Sequence, residues 1–412
     1  MTGDQRGARA PRRVDEWRAG IREILFVELL GGFGDLLLAL PAIHRLVDSH
    51  PGAAARVVTF SPGGQLLAHD PRVREVVELA DHTARAVQAA LAAAVLRWRP
   101  DLVVTTSRHS GIPALLTDVM RRAGGTGPRR DGLPALVSDL WRQPSATEPV
   151  GQRYTRLLAA DGWIDSRPHQ AGAPACGQVM LDEEEREAGS RLLRRFTGGR
   201  AHPVLLVPET GMAVKRWPAG RWSRLAGELA RRGHPVLSAP TAVAFERGAP
   251  VQVLPATSLR LFASVAAALG RAGGVVVGGD TGPVRLAVAV GVPAVGLFGP
   301  TLASRYGFAP NAPSRNAVDL QGLQGCPIRL PLSITEQECW WTARCPLSTT
   351  GPACMADLAV PTVLDAVARV TTSEIDFVDP AGTPSADRTG PARADSLAAP
   401  AEGEQAPAAP PP

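Results

Sequence analysis

Three turns in this sequence each end an apolar run and gather residue types that can move a proton or hold an anion. They are LLGGFGDLL around Asp35, VPETGMAVKRWPAGRW around Lys215, and VVVGGDTGPVRL around Asp280. A carboxylate at a strand end can take a proton from an attacking hydroxyl. It can equally cap the helix that follows, or neighbour a ribose or phosphate, and all three roles are open for Asp35. Gly31, Gly32 and Gly34 allow a tight turn and a close backbone approach. Their spacing departs from GxGxxG, and TFSPGG closes the second strand without an acid, which argues against a dinucleotide fingerprint.

Lys215 is the only lysine in a chain that otherwise uses arginine. Such a position suits a site needing a compact ammonium rather than a planar fork; the bland alternative is a solvated pair with Arg216. Thr210 lies in the same loop and faces the same cleft. In GGDTGP, the Thr281 hydroxyl, the Gly282 amide and a helix opening at Pro283 form an anion cradle, with Arg285 one turn on. Asp280 suits a sugar hydroxyl or the loop's own amides, and a capped helix start with no ligand is the structural alternative. LFGPT adds Gly299 and Thr301 at a further strand end.

These turns need rigid elements behind them. REILFVEL, ARVVTF, VREVVEL and DLVVTT read as strands separated by helices such as DLLLALPAIHRLVDSHP, whose Pro41 should bend it or displace its first turn. Residues 120–150 read as loop with short helical pieces. After a linker near 168–180 the alternation restarts with LDEEEREAGSRLLRRF, a helix with acids at its start and arginines at its end. HPVLLVPETG, HPVLSAP, GVVVGGD and VPAVGLFGP are the next strands, and VPTVLDAVARV is a closing helix. The pattern is α/β: two units of mostly parallel sheet, residues 21–175 and 176–370, whose strand ends face an interdomain cleft. Residues 1–20 read as a disordered basic arm, and 371–412 as a disordered acidic Pro/Ala-rich tail.

A chain of 412 residues with 45% apolar content is large enough for two such units. The net charge of +5 suits an anionic ligand, but the arginines are dispersed and lack the aromatic interleaving of a nucleic-acid groove. With no long apolar run and no secretion signal, the expectation is a cytoplasmic protein without a transmembrane segment, leaving peripheral membrane contact open.

Together the GD turn followed by LLxxxPAI, the KRWPxxRW stretch and DTGPxxLAxAxGVPxVxLFGPT resemble the bacterial heptosyltransferase family, the group of ADP-heptose:lipopolysaccharide heptosyltransferases, over roughly residues 21–365. The resemblance implies a GT-B arrangement of two Rossmann-like domains and an inverting, metal-independent transfer of heptose from ADP-heptose to a hydroxyl acceptor. It further implies Asp35 as base, Lys215 at the donor phosphates, and Asp280, Thr281 and Gly282 around the diphosphate, with no cofactor required for catalysis. Glu246 is the candidate for the donor ribose. The acceptor is left open among saccharide, protein and secondary metabolite. Another nucleotide sugar as donor, or donor binding without turnover, are the alternative readings. The chain departs from the pattern at Glu28, where the family often has arginine, at Glu209, and at Arg285 in place of histidine.

The chemistry asks for the same parts. Displacing a diphosphate from an anomeric carbon requires a base for the acceptor proton and cations or amides for the leaving-group charge. No DxD motif for Mg²⁺ is present. Cys326, Cys339, Cys345 and Cys354 stand close in sequence without a CxxC knuckle, and Cys176 stands apart. They are candidates for a structural Zn or Fe site, with free thiols as the alternative.

Overall fold

The computed structural model describes residues 20–107, 111–122, 136–140, 142, 144–165, 177–309 and 316–372. The basic arm before Gly20, the linker with Cys176, and the acidic tail lie outside the described residues.

The first unit is a five-stranded, wholly parallel sheet ordered β3-β2-β1-β4-β5. Its strands are β1 (Glu23–Glu28), β2 (Ala54–Phe60), β3 (Val73–Leu79), β4 (Leu102–Thr105) and β5 (Leu136–Asp139). The helices are α1 (Phe33–Asp48), α2 (Ala84–Trp98), α3 (Ile112–Arg122) and α4 (Val150–Ala160). Buried on both faces, β1 is apolar nearly throughout, as a central parallel strand should be. Successive side chains point opposite ways. Ile24 and Phe26 therefore join the layer containing α1 and α4, while Leu25 and Val27 join that of α2 and α3.

The second unit repeats the plan after α5 (Glu183–Thr197), with a parallel sheet ordered β11-β10-β9-β6-β7-β8. The strands are β6 (Val204–Val207), β7 (Val236–Ser238), β8 (Gln252–Val253), β9 (Val275–Gly279), β10 (Ala294–Phe298) and β11 (Ala317–Gln321). Helices α6 (Ala219–Arg231), α7 (Leu259–Arg271), α8 (Gly282–Ala289), α9 (Ala303–Tyr306), α10 (Ala353–Asp357) and α11 (Val360–Thr372) complete it. Asp182 and Glu185 close a capping box at the start of α5, Arg194 and Arg195 occupy its last turn, and Gly198 ends it at φ +62.

One apolar layer runs through both units, and within it α1 packs on α8. That contact sets the start of α1, which carries Asp35, against the start of α8. Helix α1 runs through Pro41 without a break, and its first turn is in place at Phe33. Strand β5 lies in the stretch read from sequence as loop. Its four residues, LVSD, are held by pairing along β4, from Leu102↔Leu136 to Thr105↔Asp139. Strands β8 and β11, both at sheet edges, were also not anticipated. No helix among the described residues is long and apolar enough to cross a membrane.

Candidate active site

The GD turn leaves β1 at Glu28 and enters α1 with Gly32 as N-cap and no side-chain cap. Asp35 is therefore inside the first helical turn, its own N–H donating to the Gly32 carbonyl at 2.9 Å, and the N-cap role is excluded. The carboxylate folds back over Gly31, where an added Cβ would lie 2.5 Å from Asp35 Oδ2. Glycine is needed at 31 because the acid occupies that space. Asp35 is half-buried as a residue. Loss of hydration raises its pKa above the usual carboxylate value, and the Asp280 charge adds to this. Arg285, Lys215 and the Gly32 N–H oppose the rise.

Asp280, after β9, has the contrary environment. Lys215 Nζ donates to its Oδ2 at 2.8 Å and to its carbonyl oxygen at 3.3 Å, and Arg285 donates to Oδ1 at 2.5 Å. Burial alone would raise Asp280; the charges and hydrogen bonds of Lys215 and Arg285 overcome it and hold the group well below its ordinary value. Arg285 also donates to the Tyr306 carbonyl at 2.5 Å, and its guanidinium lies 5.2 Å from the Phe308 ring centre. Lys215 sits in a short 3-10 turn, Ala213–Lys215, with its ammonium 5.4 Å from the ring centre of buried Trp340. These contacts fix two cations beside the start of α8. Thr281 is the N-cap of α8 and makes no side-chain cap bond, and Pro283 stands in its first turn. The Thr281 hydroxyl and the first amides of the helix are thus available to an anion.

The two turns meet. An added Cβ on Gly34 would lie 3.3 Å from Gly282 Cα, and one on Gly282 would lie 2.6 Å from the Phe33 ring. Asp35, Lys215, Asp280 and Arg285 consequently act on one another electrostatically across the two sheets.

The other candidate residues fall elsewhere. Thr210 donates to the Met212 carbonyl at 2.8 Å and shapes the loop that carries Lys215. Gly299 is buried beneath Met355 and Cys354, its carbonyl accepting from Arg329 Nε at 3.0 Å and Gln321 Nε2 at 3.1 Å. Thr301 is buried, with its hydroxyl lacking a hydrogen-bond partner. Glu246 is exposed and borders a depression with Ser223, Arg224 and Gly227 of α6, away from Lys215. Glu209 instead accepts from Ala242 N–H at 2.7 Å and borders a depression shared with Ala213, Arg216, Trp217 and Val243.

The cysteines occupy one region. Burial raises Cys339, helped by Cys345 and Cys326, and pushes Cys354 up to about 11, helped by Cys326. They are not among the described His, Cys, Asp and Glu groups whose ligand atoms come within 4.8 Å of one another; His69, Asp182 and Glu185 form that group. Sequence reasoning passed over Tyr154 and Tyr306, the chain's two tyrosines, which both feel the Asp35 charge. Their rarity was the available signal.

Against known proteins, the profile of glycosyltransferase family 9 (heptosyltransferase) matches residues 114–327, more than half of the chain. A family 9 glycosyltransferase from Veillonella parvula superposes with a TM-score of 0.63 at 15% identity, covering 85% of this chain and 97% of that one. The ADP-heptose lps heptosyltransferase II of E. coli superposes with a TM-score of 0.57 at 18% identity, over 84% and 98% of the respective chains. The iron-containing dodecameric glycosyltransferase TibC from enterotoxigenic E. coli gives 0.50 at 14% identity, over 85% and 76%. No curated protein sequence matches. The two facing Rossmann-like units are the GT-B arrangement, and the chain belongs to glycosyltransferase family 9, the heptosyltransferases.

Proposed function

We propose that the protein transfers a heptose from ADP-heptose to an acceptor hydroxyl, with inversion at the anomeric carbon and no catalytic metal. The observation that carries this reading is a half-buried Asp35, with its pKa raised, opposite the Lys215–Asp280–Arg285 cluster. The acceptor oxygen attacks the anomeric carbon opposite the diphosphate and gives its proton to Asp35. As the bond to the diphosphate breaks, Lys215, Arg285 and the amides at the start of α8 take up the charge on departing ADP. Two fixed cations supply what a divalent ion would otherwise supply. A depression bordered by Glu209, Ala213 and Arg216 next to the Lys215 turn supports a nucleoside site there, with Glu209 a second candidate beside Glu246 for the ribose hydroxyls.

The test is incubation with ADP-heptose and other nucleotide sugars against saccharide, protein and small-molecule acceptors, in the presence and absence of chelator. Intact-mass and anomeric NMR analysis of the product should show an added heptose of inverted configuration, formed equally with chelator. Transfer from a different donor would replace ADP-heptose, and donor binding without product would reject the catalytic reading.

The crowding of Cys326, Cys339, Cys345 and Cys354 and the iron of TibC support a structural Zn or Fe in this segment. The thiols would have to draw together to hold it, and it would brace the segment rather than react. Elemental analysis of the purified protein should find one equivalent of metal, lost in Cys339→Ser; metal-free native protein would reject it.

A further inference from the structure

Behind the base lies a second carboxyl that the transfer reaction does not use. Glu28 ends β1 and is fully buried. The alternation of β1 puts Ile24 and Phe26 in the layer of α1, and places Glu28 on that same face, under the turn that carries Asp35. Both acids close on residues 30 and 31: Glu28 Oε1 accepts from Leu30 N–H at 3.0 Å, and Asp35 Oδ2 covers Gly31. Glu28 Oε2 is buried without a hydrogen-bond partner. No cation makes an ion pair with Glu28 among the described residues. The charged and titratable groups around it are Asp35 from α1 and Tyr154 from α4, with Arg153 beside Tyr154. Lys215, Asp280 and Arg285 act across the cleft on Asp35.

We propose that Glu28 is a positioning residue for the base: a carboxyl kept protonated under Asp35, so that the pair presents a single negative charge to the donor diphosphate. Two ionised carboxylates at one turn would repel each other and the diphosphate, and a buried, unpaired carboxylate is costly. Burial first, and the Asp35 charge second, raise Glu28 well above the usual carboxylate range, against the weaker opposing pull of the Leu30 N–H and the Thr59 and Thr106 hydroxyls. Asp35 ionises first because Arg285 and Lys215 act on it, whereas no cation among the described residues acts on Glu28. The inference rests on Asp35 as base for its kinetic consequence, but the proton on Glu28 can be read without any turnover.

The experiment is pH-difference infrared spectroscopy of the full chain, joined to donor KM and kcat measured across pH. An un-ionised carboxyl band is expected at neutral pH, absent from Glu28→Gln and titrating at lower pH in Asp35→Asn. Donor KM should rise on the alkaline side in the native protein as the second charge appears, and this rise should vanish in Glu28→Gln. A native spectrum without the band overturns the proposal, as does a band indifferent to Asp35→Asn, or an alkaline KM rise retained in Glu28→Gln. The Asp35→Asn titration keeps the test open if glutamine at 28 impairs folding. Failure to transfer any sugar would reject the proposed function while leaving the infrared result standing.

Discussion

Asp35 and Asp280 each lie beyond the end of an inner strand of a parallel sheet, β1 and β9, and desolvation raises both. They nevertheless end on opposite sides of the ordinary carboxylate value. Asp280 is clasped by Lys215 and Arg285 through charge-assisted bonds, whereas Asp35 meets those cations only from a distance. An acid between two cations has little tendency to take a proton. One without contact cations, its pKa raised by desolvation, is suited to be a base. Position after a strand therefore does not assign the role; the nearest cations do.

Exchanging the carboxylates for amides separates them most strongly. Asp35→Asn should lower kcat by about 10²- to 10⁴-fold while donor affinity stays near native, since it removes the proton acceptor alone. A variant with native kcat in a transfer assay would end the assignment. Lys215→Met removes a charge-assisted contact to the diphosphate, a loss of about 1.5–3 kcal/mol or roughly 10- to 100-fold in donor affinity by titration calorimetry. Unchanged affinity would show that the cation serves Asp280 alone. Asp280→Asn leaves two cations without their shared acid, and should cost about 3 kcal/mol in denaturant unfolding; Asp35→Asn should cost much less. Equal losses would erase the distinction between clasped and open acid.

Acidity gives the finest test. Asp35 must be ionised to act, and its raised value places the acid limb of kcat/KM above the ordinary carboxylate range of about 4. Asp280, held low, contributes stability that is complete above its unfolded value and is lost as pH falls toward the folded one. Activity should thus disappear on acidification before the fold weakens, and Asp280→Asn should flatten the acid loss of stability.

Much of this comparison was legible in the sequence because it concerns strand ends. Apolar runs opening into GGFGD, MAVKRWP and GGDTGP direct Asp35, Lys215 and Asp280 to the strand-end side of their sheets. The partners within the site were less legible. That Asp280 accepts from Lys215 across 65 positions depends on the pairing of β6 with β9. Glu246 borders α6, its N–H donating to the Ser223 hydroxyl, while Glu209, which the sequence marks only as a departure from the family pattern, borders the Lys215 turn. Strand β5 was hidden because four residues carry no reliable period, and their place in the sheet comes from pairing with β4. Cysteine spacing gave proximity along the chain but not the direction of each thiol.

The ring of Phe33 resting on Gly282 bears on the timing of the reaction. With the two turns in contact, a donor entering between them, as the proposed transfer requires, has to part them, and the departing nucleotide has to part them again. Opening of the sheets is then a step of each proposed turnover distinct from bond-making. The working distance between base and sugar is in this sense measured out by the thickness of the donor itself.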